Sequence, residues 1–284
     1  MTIAALCEAH DWPEGAIEIV TIKTSGDRIQ DRPLAEVGGK ALWTKELDRA
    51  LQDGEIDFAV HSMKDVETIR PAEIVIAAML PRADVRDRLI GAQSLAALPA
   101  SPRVGTSSPR RAAQVRRARP DAEVVLFRGN VDTRLAKLAA GEADATLLAS
   151  AGLERLGRFD VGHPIPVTDM LPAPAQGAVG IETLAERAEL RAILGAIDDT
   201  LTNACVSAER ALLAALGADC RSPVAALAVR SGAGLHMRAE IMSGDGTICR
   251  SGEAMLLQTS DAAALAARLL HEAPPALAEL FTGP

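Results

Sequence analysis

The sequence predicts an α/β protein with two lobes around a hinged cleft and a small α+β domain at its C-terminal end. Three observations carry that reading. Short apolar strands alternate with helical stretches over the first two thirds of the chain, the pattern of sheets flanked by helices. Two passages interrupt the alternation: the charged Pro81–Arg88, and Pro164–Pro174, which holds four prolines. A pair of crossings implies that one unit is inserted into the other. From about residue 199 the pattern changes to one long helix, strands and closing helices. At 284 residues the chain has room for two domains of ~150 residues or three smaller ones.

In chain order, Thr2–His10 reads as an apolar helix and Ile17–Thr24 (IEIVTIKT) as a strand by its alternation. Ser25–Pro33 is a polar loop, and Gly38-Gly39-Lys40 leads into a helix from Leu42 to Leu51. Gly54–Asp57 turns the chain into a strand at Phe58–Val60, which runs out on His61-Ser62-Met63-Lys64-Asp65. Ligands of open α/β sheets gather at the carboxyl ends of strands, so this is a place for chemistry. Ile74–Met79 is another strand. Beyond the first crossing come strands at Leu89–Ala92, Arg103–Val104, Val124–Phe127 and Ala145–Ala149, with helices from Arg110, from about Asp132 and at Gly152–Leu156. Gln176–Ile181 re-enters a strand and Glu186–Ile197 is helical. A helix from about Asn203 stops at Gly217, a usual helix end. Strands follow at Val224–Arg230 and Leu235–Met242, joined by a Ser231–Gly234 turn, and near Glu253–Leu257. The expected boundaries are 1–82 with 176–198 for lobe 1, 83–175 for lobe 2 and 199–284 for the C-terminal domain.

Composition narrows the function. The chain is 48% hydrophobic, so it can bury sizeable cores, which alanine and leucine must fill because aromatics are only 2%. No apolar run reaches the ~20 residues of a membrane span and no secretory signal opens the chain, so a cytoplasmic protein without a membrane partner is expected. Cys7, Cys205, Cys220 and Cys249 are too widely spaced for a zinc knuckle, and no metal is expected.

The net charge is −8, yet Arg103–Arg119 holds six arginines and no acid. Two copies of one device lie here end to end, each a strand, a polar loop and a helix that begins near arginines. The first loop is Gly105-Thr106-Ser107-Ser108-Pro109 and the second Arg128-Gly129-Asn130. Helix N-termini offer unpaired N–H groups to anions. Thr106, Ser107 and Ser108 add hydroxyls, and Arg110, Arg111, Arg128 and Arg134 add forks that match carboxylates. A solvated helix face is the plain alternative for such a run. Nucleic acid is disfavoured, because the chain is acidic and no aromatic interleaves the arginines.

Several stretches then add up: VGGKALWTKEL (Val37–Leu47), HSMKDV (His61–Val66), VGTSSPRR (Val104–Arg111), RGNVDTRL (Arg128–Leu135), PAQGAVGIE (Pro174–Glu182) and AERALLAALGADCRSPVAALA (Ala208–Ala228). Together they resemble the porphobilinogen deaminases, also called hydroxymethylbilane synthases, of the tetrapyrrole (heme) pathway. The resemblance implies two lobes like those of periplasmic binding proteins, and a monomeric transferase that joins four porphobilinogen molecules head to tail with loss of ammonia. It also implies a dipyrromethane cofactor held by a thioether, for which the matching residue is Cys220. By matching motif Asp65 is the catalytic carboxylate. Lys40, Ser62, Lys64, Thr106, Ser107, Ser108, Arg110, Arg111, Arg128, Gly129, Asn130 and Arg134 would then bind cofactor and substrate. Each pyrrole ring carries an acetate and a propionate, which is the chemical need for many cations in one cleft. His61 is read as a structural hydrogen-bonding group, and Trp43 falls where the family has Phe, over the cleft. Cys7, Cys205 and Cys249 read as filler on helix or strand positions.

The family pattern opens with a strand carrying an Arg-x-Ser motif, which this sequence does not contain. An open sheet edge in lobe 1 is therefore expected. Two alternatives stay beside the enzyme: an inactive truncated homologue, and a two-lobe carboxylate-binding module without chemistry. A binding module needs neither Asp65 nor Cys220.

Overall fold

The computed structural model describes residues 1–24 and 43–281 of the chain. Lys40, the Ser25–Pro33 loop and the start of the helix expected from Leu42 lie outside the described residues.

The first sheet is small. Strand β1 (Ala59–Ser62) and β2 (Ile74–Met79) flank β8 (Val179–Leu184), which runs antiparallel to both. Helices α1 (Thr2–His10), α2 (Lys45–Gln52) and α6 (Ala188–Gly195) belong to the same lobe. Leu6 of α1, Ala78 and Leu80, Ile181 and Leu194 make its core. The second sheet has the order β5-β4-β6-β3-β7, formed by β3 (Asp87–Ile90), β4 (Arg103–Gly105), β5 (Glu123–Val125), β6 (Ala145–Ala149) and β7 (His163–Pro164). Strand β4 is parallel to β5 and β6, while β3 is antiparallel to β6 and β7. Helices α3 (Pro109–Ala118), α4 (Val131–Ala139) and α5 (Ser150–Arg155) accompany it. The third sheet is a meander of β9 (Val224–Ser231), β10 (Gly234–Met242) and β11 (Cys249–Leu256). It packs on α7 (Thr200–Leu216) and α8 (Asp261–Glu272), with the short α9 (Pro275–Ala278) closing the chain; Leu212, Ala226, Met237 and Leu265 sit in this core. The fold is thus two α/β lobes followed by a small α+β domain, and among the described residues no helix is long and apolar enough to cross a membrane.

Local chemistry explains where the helices begin and end. Pro109 occupies the first turn of α3, and the Ser108 hydroxyl before it accepts from Arg111 N. The Asn130 side chain caps α4 by accepting from Thr133 N, and the Asp199 carboxylate caps α7 by accepting from Thr202 N. Helix α7 stops where Gly217 takes φ 63, a left-handed conformation open to glycine.

One expectation fails. Ile17–Thr24 forms no strand, and Ile19 and Val20 are exposed. Alternation gives a strand only where a neighbouring strand completes the hydrogen-bond ladder, and among the described residues no strand pairs with this stretch. It runs beside the outer side of β1, across a cavity of about 1210 Å³ lined by Ile17, Val20, Phe58 and Val60. Among the described residues β1 pairs only with β8. Smaller shifts have local causes. β5 ends at Val125 rather than Phe127, because the Phe127 ring turns inward onto Gly105. A Cβ there would stand 2.4 Å from that ring. β7 was hidden in the sequence by its proline, which only an edge strand tolerates.

The joints between units are polar and buried. Arg82, on the outward crossing, donates to Gln176 O on the return crossing and forms a two-pronged pair with Glu209 of α7, at 2.8 and 2.9 Å. The same carboxylate accepts from the N–H groups of Ala175 and Ala228. One carboxylate therefore ties both crossings to the C-terminal domain.

Candidate active site

Strand β1 ends in a single 3-10 turn, Met63–Asp65. Met63 is buried against Gly180 of β8, where a Cβ would come within 2.1 Å of its sulfur. That close fit fixes the turn and leaves Lys64 and Asp65 on the wall of a cavity of about 250 Å³. The opposite wall is Ser107, Ser108, Arg110 and Arg111 at the start of α3, with Arg134 from α4. Asp219 and Cys220 complete the cavity from the C-terminal domain, and Trp43 lines it as well.

The basic island splits once its partners are known. Arg110 and Arg111 are buried and share the carboxylate of Asp87 on β3, at 2.8 and 2.6 Å. Burial alone would raise the Asp87 carboxyl, but the two guanidiniums more than offset this and hold it well below the usual carboxylate range. Gln176 Nε2 adds a third donor at 3.0 Å. Two cations on one anion leave a net positive charge facing the cleft, and Arg110 Nε has no hydrogen-bond partner among the described residues. Arg116 donates to Gly244 O, Arg117 pairs with Glu240, and Arg119 holds Asp121 and three backbone carbonyls. These three are structural.

The unengaged charges are Lys64, Arg134 and Asp65. Neither the Lys64 ammonium nor the Asp65 carboxylate forms a hydrogen bond or ion pair among the described residues, and Arg134 uses only its Nε, donated to Gly129 O at 2.9 Å. Burial lowers the Lys64 ammonium, with Arg111 adding to the effect and Asp65 opposing it. Burial also lowers Arg134, to about 10, helped by Arg111 and Arg128 and opposed by Asp65. Cations disfavoured in this way gain most when an anion arrives.

Cys220 stands on a loop braced by its neighbours. Arg221 forms an ion pair with Asp219 at 2.6 Å, and Asp219 N donates to Ser222 Oγ. The cysteine itself is exposed to the cleft. The surrounding walls, then Asp219 and Asp65, nevertheless push its thiol up to about 12. The open surface decides what can reach the sulfur; the neighbours decide how hard it is to ionise. Alkylation proceeds through the thiolate. In protein freed of cofactor, iodoacetamide at pH 8 should label Cys220 about tenfold or more slowly than in the unfolded chain, with the rate still rising well above pH 9. Peptide mass spectrometry reads this, and equal rates would contradict the shift.

The other expected residues that are described do not line the cavity. Ser62 pairs with Val179 inside the first sheet. Thr106 is buried and accepts from Ser108 N, and Asn130 is engaged as the cap of α4. Arg128 is buried nearby, and Gly129 supplies the carbonyl that aims Arg134. His61 is buried as a structural group, its Nε2 3.0 Å from Glu182. Sequence reasoning missed Asp87, which lies in the charged crossing and gives no local sign of its two partners.

Asp87 provides a test of this wiring. Asp87→Asn would leave two buried guanidiniums without their anion and should destabilise the protein by about 3–5 kcal/mol, as read by denaturant unfolding. Because the folded carboxyl is held low, its contribution is complete above about pH 4 and is lost only as pH falls through the folded value.

Fold and site together define a two-lobe cleft for ligands rich in carboxylates, furnished with an accessible thiol and an unengaged carboxylate. The sequence matches the family "Porphobilinogen deaminase, dipyromethane cofactor binding domain" over residues 1–192 and "Porphobilinogen deaminase, C-terminal domain" over residues 203–273. It is 58% identical over 287 residues to a porphobilinogen deaminase of Sphingopyxis alaskensis, covering 99% of this chain and 91% of that one. It is 49% identical over 283 residues to one of Nitrobacter hamburgensis, covering 97% and 88%. The chain belongs to the porphobilinogen deaminase family. The periplasmic VFT2 domain of Bordetella pertussis BvgS is a distant likeness, with a TM-score of 0.39 and 18% identity over 69% of this chain and 74% of that one, too remote to bear on function.

Proposed function

We propose that Asp65, Cys220 and the cleft cations divide among them the work of hydroxymethylbilane synthesis. By family the chain is a transferase of porphyrin and heme biosynthesis that uses a dipyrromethane cofactor and condenses porphobilinogen molecules, four per product, with release of ammonia. The observation that carries the assignment of roles is the set of unengaged charges, Lys64, Arg134 and Asp65, in the same cavity as the exposed thiol of Cys220.

The donor set fits the cofactor. Lys64 and Arg134, with the residual charge of Arg110 and Arg111 and the hydroxyls of Ser107 and Ser108, would hold its acetate and propionate groups, with Cys220 as the covalent anchor. When bound, the dipyrromethane supplies the free pyrrole carbon at which chain growth starts. Each condensation breaks the aminomethyl C–N bond of a porphobilinogen and forms a C–C bond to the preceding ring, whose α-proton is then lost. Departure of ammonia leaves a cationic azafulvene. The Asp65 carboxylate faces that cation, stabilises it, accepts the pyrrole N–H groups and can shuttle the proton. Cys220, whose ionisation is disfavoured, would form its C–S bond with an electrophile as strong as that cation, losing the thiol proton to a neighbouring base or solvent, and would react more slowly with milder ones.

The enzyme acts on this reading as a cytoplasmic monomer. Arg134 tests the binding half of the proposal. Arg134→Leu should raise KM for porphobilinogen or stall chain growth, visible as bound intermediates by intact mass. Arg134→Lys should recover only part of the loss, because a point charge does not replace the fork. Wild-type kinetics in both variants would remove Arg134 from the site.

A further inference from the structure

Three backbone carbonyls just after Asp65 converge on one guanidinium. Arg210, on α7 of the C-terminal domain, donates from Nη1 to Val66 O at 3.3 Å and from Nη2 to Glu67 O at 2.6 Å and Thr68 O at 3.1 Å. The same three residues return the contact at their far end, where the Thr68 hydroxyl donates to Ala218 O at 2.8 Å. Ala218 is two residues from Cys220. Val66 packs with Met63, Ala175 and Val206 of α7 in one apolar cluster, so the strap is also seated on its inner side. On its outer side the Glu67 carboxylate accepts from Thr44 and from Arg70, and Arg70 is itself paired with Glu182 of β8 and with Asp48.

Arg210 lines the cavity, yet these hydrogen bonds all go to backbone carbonyls. Carbonyls are a poor use of a full charge unless the geometry they fix matters. We infer that Arg210 and Thr68 are positioning residues: they clamp the segment 66–68 between the catalytic turn and the cysteine loop, and so set the separation of Asp65 from Cys220. The inference rests on the reading of those two residues given above. It adds a reason for the C-terminal domain to be docked on lobe 1, since a chain anchored at Cys220 must be presented to Asp65. A displacement of about 1 Å between reacting groups can cost ~10²-fold in rate.

The test uses the holoenzyme. Arg210→Lys keeps the charge but cannot reach three carbonyls at once, and Thr68→Val keeps the shape but removes the hydroxyl. Both should retain the covalent cofactor mass and the KM for porphobilinogen while kcat falls, about tenfold or more for Arg210→Lys and less for Thr68→Val. Thr68→Ser should restore kcat. Amide hydrogen exchange at 66–68 should quicken in both impaired variants. A fall in melting temperature with unchanged kcat per folded molecule would mean a merely structural pair and would overturn the inference. A raised KM at unchanged kcat would overturn it in favour of direct substrate binding. Wild-type protein carrying no pyrrole mass would instead sink the reading of Cys220, and the clamp with it.

Discussion

Asp65→Asn is expected to slow single-turnover ammonia release by about 10²-fold or more while leaving the fold and bound pyrroles in place. The amide keeps the size and one acceptor oxygen but loses the charge that faces the azafulvene-like cation. In this cavity the effect should be large because the carboxylate accepts no hydrogen bond among the described residues, so its oxygens are open to the reacting centre. Binding should move the other way. Lys64 and Arg134 both feel Asp65, and removing it leaves their attraction for substrate carboxylates equal or stronger. The Asn variant should therefore accumulate bound chains that it fails to release. Asp65→Glu should fall between, since it keeps the charge and misplaces it. Near-wild-type ammonia release from the Asn variant would make Asp65 a bystander.

Cys220→Ser is the second large effect. The hydroxyl is close in size but far harder to ionise and a weaker nucleophile toward a soft cation, so no covalent pyrrole should form and turnover should fall to background. The loop itself should survive, because it is braced by Asp219, Arg221 and Ser222 rather than by the sulfur. Substitution of Cys7, Cys205 or Cys249 should leave the covalent mass unchanged, since none of them lines the cleft. A Cys220→Ser protein that still carried the cofactor and turned over would move the attachment elsewhere.

Much of this was legible in the sequence alone, for reasons that are local. Ser108 followed by Pro109 marks the start of a helix, and Gly217 its end, through conformational preferences that need no distant partner. The stretches around Asp65 and Cys220 stood out only by their resemblance to the family's motifs, and the structure places both on the wall of one cavity. What escaped the sequence was pairing. Nothing in Arg110–Arg119 says that Asp87 is shared by two of its arginines, that Glu240 takes Arg117, or that Asp121 takes Arg119. A fork that fits a ligand's carboxylate fits a protein's own equally well, and only the fold decides between them. The same holds for Ile17–Thr24, whose alternation is that of a strand but whose neighbour is a cavity. Arg210 was hidden for a third reason: its partners are backbone carbonyls, which carry no sequence signal at all.

The most direct measurement is the intact mass of the purified protein, followed by peptide mapping of any excess. The account predicts an excess equal to one dipyrromethane, localised to the peptide containing Cys220 and absent from Cys220→Ser. Addition of porphobilinogen to Asp65→Asn should then build a ladder of heavier species that persists. A bare mass, or an excess mapped to another cysteine, would contradict the claim that Cys220 anchors the growing chain in front of Asp65.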